Sequence, residues 1–249
     1  LREKFRMPLF EIQYAPRDHT DGGHFDTAFG PVLDDMRSSI GLAPLRSGHL
    51  EWLMTHDRSI GLYPDWFLHA PGTSDMPGVI PTHYLFERSD DARPLPAELD
   101  DFLARGAPPI VVTFGSYAST DAALYREAID AAARSGLRLV ILSKYAEQLP
   151  SPLPAHCLRV PYVSLQRLLP RVRAFIHHGG AGTVAQSFRA GIPQLVLPMA
   201  FDQFINADRV AALGCGRRLQ RSDFRAEPLS AALDSLCSDP GVATAVRAI

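Results

Sequence analysis

From residue 99 onward, short apolar runs alternate with segments that have helical spacing. The apolar runs occupy residues 109–114, 137–142, 156–160, 173–177 and 194–197. The helical segments occupy residues 121–134, 165–169, 183–190, 202–213 and 226–237. Strands that are apolar on both faces and alternate with helices are typical of a parallel sheet covered on both sides. Right-handed crossovers then predict a doubly wound α/β domain, in which ligands bind beyond the carboxyl ends of the strands.

The first part of the chain, residues 1–88, is irregular by comparison and rich in Gly, Pro, His and aromatic residues. It contains one clear helical pattern, whose apolar face is formed by Phe25, Phe29, Val32, Leu33, Met36 and Ile40. Short strands are expected around Trp52–Leu53 and Trp66–Leu68. Residues 89–98 are polar and proline-containing, which is typical of a linker between domains. We therefore expect an incomplete domain over residues 1–88, a linker over 89–98 and a second domain over 99–249.

Both ends of the sequence suggest a longer protein. The chain begins with Leu1 in a stretch without periodicity, and residues 240–249 begin a helical pattern that has no cap. We expect this chain to be part of a larger polypeptide.

Composition excludes some classes of protein. Apolar residues make up 46% of the chain and charged residues 21%, with a formal net charge of −2. This balance predicts neither nucleic acid nor an anionic membrane as a partner. No apolar run reaches the roughly 20 residues that span a bilayer, although peripheral membrane contact stays open. Three cysteines without metal-ligand spacing favour reduced thiols in a cytoplasmic protein.

The segment AFIHHGGAGTVA, residues 174–185, is the most informative motif. A buried strand leads through two histidines into a glycine-rich turn and then a helix. The first amides of a helix lack intrahelical partners and lie at the positive end of its dipole, which favours an anion by up to ~2 kcal/mol. Glycines let a ligand approach the backbone closely. The motif therefore predicts a phosphate-binding turn, with His178 and Thr183 as side-chain donors.

A dinucleotide-binding fingerprint is an alternative interpretation of the same turn. Residues 180–185 match G-x-G-x-x-A, and Asp202 lies twenty residues beyond Gly182. Two histidines stand where such a motif has apolar residues, and at least three strands precede the turn. The sequence therefore favours the phosphate turn over an NAD-binding oxidoreductase.

Purely structural roles also stay open for several of these residues. Thr183 is a residue type favoured as a helix N-cap, and Asp202 with Gln203 precedes another helical segment that they could cap. His177 is expected to support the strand end. His178 has the weakest structural alternative, because it stands at the mouth of the turn.

The linked motifs resemble the donor signature of the family of UDP-dependent glycosyltransferases. They comprise HGGAGT at 178–183, RAGIPQ at 189–194, PMAFDQ at 198–203, NADRV at 206–210 and LGCG at 213–216. Upstream, VTFGS at 112–116 and VPYV at 160–163 extend the resemblance to about residues 60–240. The bacterial branch that glycosylates macrolides, glycopeptides, sterols and lipids is the most similar. The resemblance implies a GT-B fold, with a Rossmann-like donor domain after the remnant of an acceptor domain.

The resemblance also implies a role for individual residues. His178, Gly180, Gly182, Thr183 and Ser116 would bind the donor diphosphate without a metal or other cofactor. Asp202 and Gln203 would bind the transferred sugar. The backbone around Val160, with Tyr162, would hold the base of a UDP- or dTDP-sugar. Relatives often carry a stacking aromatic residue near these positions; here neither Arg159 nor Val160 is aromatic, and Tyr162 is the nearest candidate.

The implied reaction transfers a hexose, with inversion, to a hydroxyl of a small apolar acceptor. Its general base would be a histidine near the start of the acceptor domain, and no segment of this chain matches that motif. We assign the role to none of His19, His24, His49, His56, His69 and His83, so this chain alone is expected to bind donor and to turn over poorly or not at all. A nonenzymatic nucleotide-sugar-binding module is the alternative. A reading frame extending ~150 residues upstream would favour the enzyme, and a start codon at Leu1 the module.

Overall fold

The computed structural model describes residues 3, 8–16, 22–53, 57–74, 76, 78–86, 94–115 and 122–249, and backbone alone at residues 22–24. Two compact units make up the chain. The first comprises Leu1–His69 with Ser74–Leu85, and the second comprises Ala70–Thr73 with Phe86–Ile249. Within the described residues, no helix combines the length and apolar character needed to cross a membrane.

The first unit contains a three-stranded parallel sheet that the sequence pattern did not reveal. Its strands are β1 (Phe10–Gln13), β2 (Arg58–Gly61) and β3 (Val79–Pro81), with β2 in the centre. The strands are three or four residues long and carry polar residues, so periodicity alone gives little signal for them. Tyr63 is fully buried at the end of β2 and donates its hydroxyl to Gln13 Oε1 at 2.7 Å.

The predicted strands around Trp52–Leu53 and Trp66–Leu68 are wrong. Both segments are helical, in α2 (His49–Leu53) and α3 (Asp65–Leu68). The physical reason is local: Pro64 precedes α3 with an extended backbone, and its carbonyl accepts from Phe67 N–H and Leu68 N–H, which closes a helical turn. Short apolar runs are compatible with a strand or a buried helical turn, and hydrogen bonding decides between them.

The predicted amphipathic helix is α1 (Gly22–Ser39), but part of its apolar face is exposed. Phe29, Val32 and Met36 are 55–60% exposed. A polar contact joins α1 to α2. His49 of α2 is buried, with Nδ1 3.2 Å from Asp26 and Nε2 3.1 Å from Asp34, both on α1. Burial raises the pKa of both carboxyls, but backbone and His49 hydrogen bonds outweigh it and lower each pKa.

The second unit is the predicted doubly wound domain, a confirmation of the fold expected from the alternating pattern. Its strands are β4 (Ile110–Thr113), β5 (Leu139–Leu142), β6 (Cys157–Val160), β7 (Ala174–His177), β8 (Gln194–Val196) and β9 (Gly216–Arg218). All are parallel, in the order β6-β5-β4-β7-β8-β9. Consecutive residues Ile110, Val111 and Val112 are fully buried, so both faces of the sheet are covered.

All helices of the second unit except the first, which was not predicted, follow the predicted segments within one or two residues. They are α4 (Ala97–Ala104), α5 (Ala122–Arg134), α6 (Leu165–Leu168), α7 (Ala181–Ala190), α8 (Gln203–Ala212), α9 (Ala226–Ser238) and α10 (Pro240–Ala248). The helix α4 takes up the last two residues of the predicted linker, and the first half of that linker, residues 89–93, lies outside the described residues. The edge strand β9 was not predicted, because Gly216, Arg217 and Arg218 lack an apolar pattern.

The strand order places a crevice at one defined point of the sheet. The chain winds outward from β4 to β6, returns to β7 beside β4, and winds outward again to β9. The segments that leave β4 and β7 therefore diverge at the carboxyl edge. In doubly wound sheets such a reversal of strand order is where ligands bind. The glycine turn follows β7, the fourth strand of this sheet, and not the first.

Candidate functional site

The glycine turn leaves a completely buried strand. All four residues of β7 are buried, and His177 ends the strand. Its Nδ1 accepts from Gly179 N–H at 3.1 Å, so Nε2 carries the ring proton and donates to Gln194 Oε1 at 3.1 Å. Burial, aided by neighbouring His178 and opposed by the Gln194 hydrogen bond, lowers the pKa of His177 to about 3. His177 is therefore a neutral residue that supports the turn from inside.

His178 lies between two glycines from different segments. A Cβ atom on Gly115, which follows β4, would lie 2.7 Å from His178 Cε1. A Cβ atom on Gly180 would lie 2.7 Å from His178 Nε2. Any side chain at either position would collide with the ring. These two glycines therefore make room for His178, which the sequence alone had not indicated.

The imidazole of His178 has an incomplete set of hydrogen bonds. Its Nδ1 is buried and has no hydrogen-bond partner among the described residues. Burial lowers the pKa of His178, and the charge of Asp202 opposes that shift. A neutral imidazole donates one hydrogen bond from one nitrogen. Such a ring can donate to an anion without adding a full positive charge.

The helix α7 begins next to His178 with its first amides uncapped. Gly180 is the N-cap residue, and no side chain accepts a hydrogen bond there. Thr183 is the third residue of the helix, so it is not the N-cap residue. Among the residues that the structure describes, no heavy atom would lie within 4 Å of a Cβ atom on Gly182, whereas Gly115 and Gly180 are crowded. The start of α7 therefore presents open space and unpaired donors, as an anion site requires.

A cavity of about 370 Å³ lies at this edge of the sheet. One part of its lining is polar or small: Thr113, Gly115, Ser143, Lys144, His178 and Thr183. The other part is apolar or aromatic: Leu142, Tyr145, Pro161, Tyr162, Val163 and Leu165. The cavity spans the segments that follow β4, β5, β6 and β7. It thus crosses the point where the strand order reverses. Its end at β4 and β7 is polar or small, and its end at β5 and β6 is mostly apolar or aromatic but includes Ser143 and Lys144.

Asp202 and Gln203 lie after β8, outside this lining. Gln203 is buried, and its Oε1 accepts from Met199 N–H at 2.9 Å and Ala200 N–H at 3.1 Å. Asp202 is the N-cap residue of α8 by position, but its side chain makes no capping hydrogen bond. Its Oδ2 accepts from Asn206 Nδ2 at 2.9 Å. The Gln203 side chain therefore holds the loop that precedes α8, and Asp202 stays half-buried beside the turn.

The structure separates the two residues expected at the base. Val160 is buried in the core, and its carbonyl accepts from Ser143 N–H at 3.2 Å, whereas Tyr162 lines the cavity and is 75% exposed. Ser116, expected at the diphosphate, lies outside the described residues. Gly180 is the N-cap residue of α7, and Gly182 lies in its first turn. Both lie in the chain between His178 and Thr183, which line the cavity.

Sequence reasoning missed Tyr145 and Lys144, which follow β5 and line the cavity. Lys144 Nζ lies 5.1 Å from the centre of the Tyr145 ring. The sequence offered one signal, their position directly after a predicted buried strand. In the sheet that strand, β5, lies two strands away from β7, which precedes the glycine turn, and this proximity cannot be read from positions along the chain.

The described residues give no sign of a metal centre. No group of three or more His, Cys, Asp or Glu side chains among them is arranged to hold an ion. The three cysteines are free, and burial raises the pKa of Cys157 to about 12, with Asp130 adding to the effect. These thiols are not reactive nucleophiles at neutral pH.

Comparison with known protein families identifies the second half of the chain. Residues 127–248 match the family model described as erythromycin biosynthesis protein CIII-like, C-terminal domain. This matched range includes the glycine turn and favours the phosphate-turn interpretation over a dinucleotide-binding oxidoreductase.

Individual relatives and solved structures are glycosyltransferases, in agreement with the family match. The chain is 38% identical over 221 residues to glycosyltransferase GtfC of Amycolatopsis orientalis, which covers 85% of this chain and 50% of the relative. It is 38% identical over 232 residues to dTDP-epi-vancosaminyltransferase of the same organism, covering 90% and 56%. The solved structure of spinosyn rhamnosyltransferase SpnG with thymidine diphosphate matches with a TM-score of 0.74 and 26% identity, covering 98% of this chain and 62% of that one. The chain thus spans about half the length of the curated relatives it matches.

Proposed function

We propose that this chain, which belongs to the family of glycosyltransferases with an erythromycin biosynthesis protein CIII-like C-terminal domain, binds a nucleoside-diphosphate sugar. In this proposal the protein transfers the sugar to a hydroxyl of a small apolar acceptor. The donor is a thymidine diphosphate sugar rather than a UDP-sugar. The names of one relative, a dTDP-epi-vancosaminyltransferase, and of the SpnG complex with thymidine diphosphate support that choice.

The observation that carries this proposal is the meeting of His178 and the start of α7 at the polar end of the cavity. His178 has a buried nitrogen without a partner among the described residues, and α7 begins without a side-chain cap. Both features satisfy the requirements of a diphosphate, which accepts several hydrogen bonds and is attracted to the positive end of a helix.

The order of the strands supports an order of subsites. The base lies at the apolar end beyond β5 and β6, the diphosphate beyond β4 and β7, and the sugar near Asp202 and Gln203 beyond β8. Strands lie about 4.8 Å apart, so the edge from β6 to β7 extends over roughly 14 Å. An extended nucleoside diphosphate is comparable with that span. Gly180, Gly182 and Thr183 complete the diphosphate subsite in this proposal, together with Ser116.

The proposed chemistry relies on donors aimed at a departing diphosphate. As the acceptor hydroxyl attacks the anomeric carbon, the bond to the diphosphate oxygen breaks and negative charge grows on that oxygen. Preorganised donors stabilise such charge, and loss of one typically costs about 3 kcal/mol. His178 and the amides of α7 would supply this stabilisation. The acceptor proton requires a general base, and buried His49, held between Asp26 and Asp34, is not suited to that role.

The acceptor and the location of the protein are part of the proposal. Relatives include an O-mycaminosyltylonolide 6-deoxyallosyltransferase and a vancomycin aglycone glucosyltransferase, which favours an apolar natural-product aglycone. Free cysteines support a cytoplasmic location, because thiols persist in reducing compartments.

The proposal is tested by thermal-shift titration of this chain with dTDP, UDP and NAD⁺. We expect dTDP to stabilise the chain most, by about 2.7 kcal/mol at a concentration one hundred times its Kd. UDP is expected to stabilise it less, and NAD⁺ not at all. Stabilisation by NAD⁺ alone, or by none of the three nucleotides, would overturn the proposal.

The identity of the stacking residue gives a separate prediction. Tyr162 and Tyr145 both line the apolar end, so each can stack on a base. We expect Tyr162→Ala to weaken dTDP binding by about 3- to 10-fold, the usual worth of an aromatic contact, while inorganic pyrophosphate binding is unchanged. Isothermal titration calorimetry of Tyr162→Ala, Tyr162→Phe and Tyr145→Ala distinguishes the two positions. If only Tyr145→Ala weakens dTDP, Tyr145 is the stacking residue, and the assignment of Tyr162 fails.

A further inference from the structure

Gly179, the first glycine of the turn between β7 and α7, is hydrogen-bonded on both sides to buried side chains. Its backbone has φ +91°, and a Cβ atom there would lie 2.9 Å from Val196 Cγ1 and 3.0 Å from the Gln203 carbonyl oxygen. Its N–H donates to His177 Nδ1, and its carbonyl accepts from Asn206 Nδ2 at 2.9 Å. Only glycine fits here, and the conformation is fixed by two specific hydrogen bonds.

The Asn206 amide also reaches the neighbouring loop. The same Nδ2 that donates to Gly179 donates to Asp202 Oδ2 at 2.9 Å. Asn206 is 1% exposed and does not line the cavity. Asn206 therefore donates its two amide hydrogens to the Gly179 carbonyl after β7 and to the Asp202 carboxylate after β8.

This arrangement has a chemical consequence for Asp202. A carboxylate has two oxygens, and engaging Oδ2 with Asn206 orients the group and leaves Oδ1 for another donor. The carboxylate is negatively charged and close enough to His178 to affect its pKa, so its position relative to a diphosphate matters. A carboxylate that swings toward the diphosphate would repel it, whereas one held by Asn206 is kept at the loop after β8.

We propose that Asn206 is a positioning residue that couples the diphosphate subsite to the sugar subsite through its simultaneous hydrogen bonds to Gly179 and Asp202. This inference rests on the proposed function. Asn206 does not touch the donor. It sets the distance between the glycine turn and the carboxylate that binds a sugar hydroxyl, and His177 supports the other side of the same turn.

The test compares two ligands that differ only in the sugar. The affinities of dTDP and dTDP-glucose for this chain are measured by calorimetry, and their ratio gives the contribution of the sugar. Leucine has the branched shape of asparagine but cannot donate a hydrogen bond. We expect Asn206→Leu to weaken dTDP-glucose relative to dTDP and so to change that ratio by about tenfold, the effect of a lost charge-assisted hydrogen bond. Asp202→Ala should change the ratio similarly, and the double variant should add little, because both variants remove one coupled unit.

Val210→Ala provides the matched control for lost stability. Val210 is fully buried on the same helix, α8, and its aliphatic side chain cannot donate a hydrogen bond to the turn. Its truncation should lower the melting temperature while leaving the ratio unchanged. If Asn206→Leu fails to fold, Asn206→Ser is measured in its place, because serine retains one donor and removes the second.

The outcomes separate this inference from the proposed function. Wild-type chain that binds neither nucleotide overturns the proposed function and this inference with it. Wild-type chain that binds both, combined with Asn206 variants that weaken both equally, overturns the coupling and leaves the proposed function standing. Additive effects of the Asn206 and Asp202 variants would also overturn the coupling.

Discussion

Replacing His178 with alanine is expected to weaken dTDP binding by about 10- to 100-fold, the worth of one hydrogen bond to a charged group. At a dTDP concentration of one hundred times the wild-type Kd, stabilisation by the ligand should fall from about 2.7 kcal/mol to between about 0.4 and 1.4 kcal/mol. Calorimetry and thermal shift measure the two quantities independently.

The fold itself should tolerate the loss of the His178 ring. The ring is half-buried, and its Nδ1 has no hydrogen-bond partner within the described part of the chain, so alanine leaves no new unpaired group behind. His178→Gln is the control, because it retains an N–H donor and should recover part of the affinity. A His178→Ala variant that binds dTDP as well as the wild type would show that the ring does not contact the diphosphate.

Replacing Gly182 with alanine is expected to act in opposite directions on stability and on binding. The added methyl group meets no atom of the described part of the chain within 4 Å, so the free chain should gain up to about 1 kcal/mol through the better helix propensity of alanine and a less flexible unfolded chain. The same methyl group occupies the open space above the start of α7. We expect dTDP affinity to fall by about tenfold or more, since at least one hydrogen bond to the diphosphate is lost.

Gly180→Ala is the matched comparison for Gly182→Ala. Its Cβ atom would lie 2.7 Å from His178 Nε2, so this variant should lose both stability and affinity. Denaturant unfolding of the free proteins and calorimetry with dTDP measure the two effects. If Gly182→Ala binds dTDP unchanged, the space above the helix start is not used by the diphosphate, and the subsite must be reassigned.

The amino-acid pattern was sufficient to predict the architecture of the second unit because its central strands consist of consecutive buried apolar residues. The runs that became β4, β5 and β7 are apolar at consecutive positions, as expected for strands covered on both faces. The first unit gave no such signal. The strands β1, β2 and β3 are short and partly polar. The apolar segments Trp52–Leu53 and Trp66–Leu68 belong to short helices, which a short apolar run does not distinguish from strands.

The glycine turn shows where reasoning from local sequence ends. The order of residues around His178 predicted a phosphate turn, because an anion site at a helix start depends on consecutive backbone groups. The same local order assigned the glycines to ligand approach. In the folded chain Gly180 makes room for His178, Gly179 is confined by Val196 and Gln203, and Gly182 alone of the three faces open space.

The sequence by itself therefore determined the class of fold, the glycine turn at the start of α7 and the residue types in it, because helix starts and buried strands are properties of neighbouring residues. Only the tertiary structure decided which distant residues meet. The strand order β6-β5-β4-β7-β8-β9 brings Gly115 to His178 and places Tyr145 and Tyr162 in the lining of one cavity, and the packing of α8 brings Asn206 to Gly179. These pairs of residues are separated by 17 to 63 positions, and chain order alone does not specify which strand ends will be neighbours.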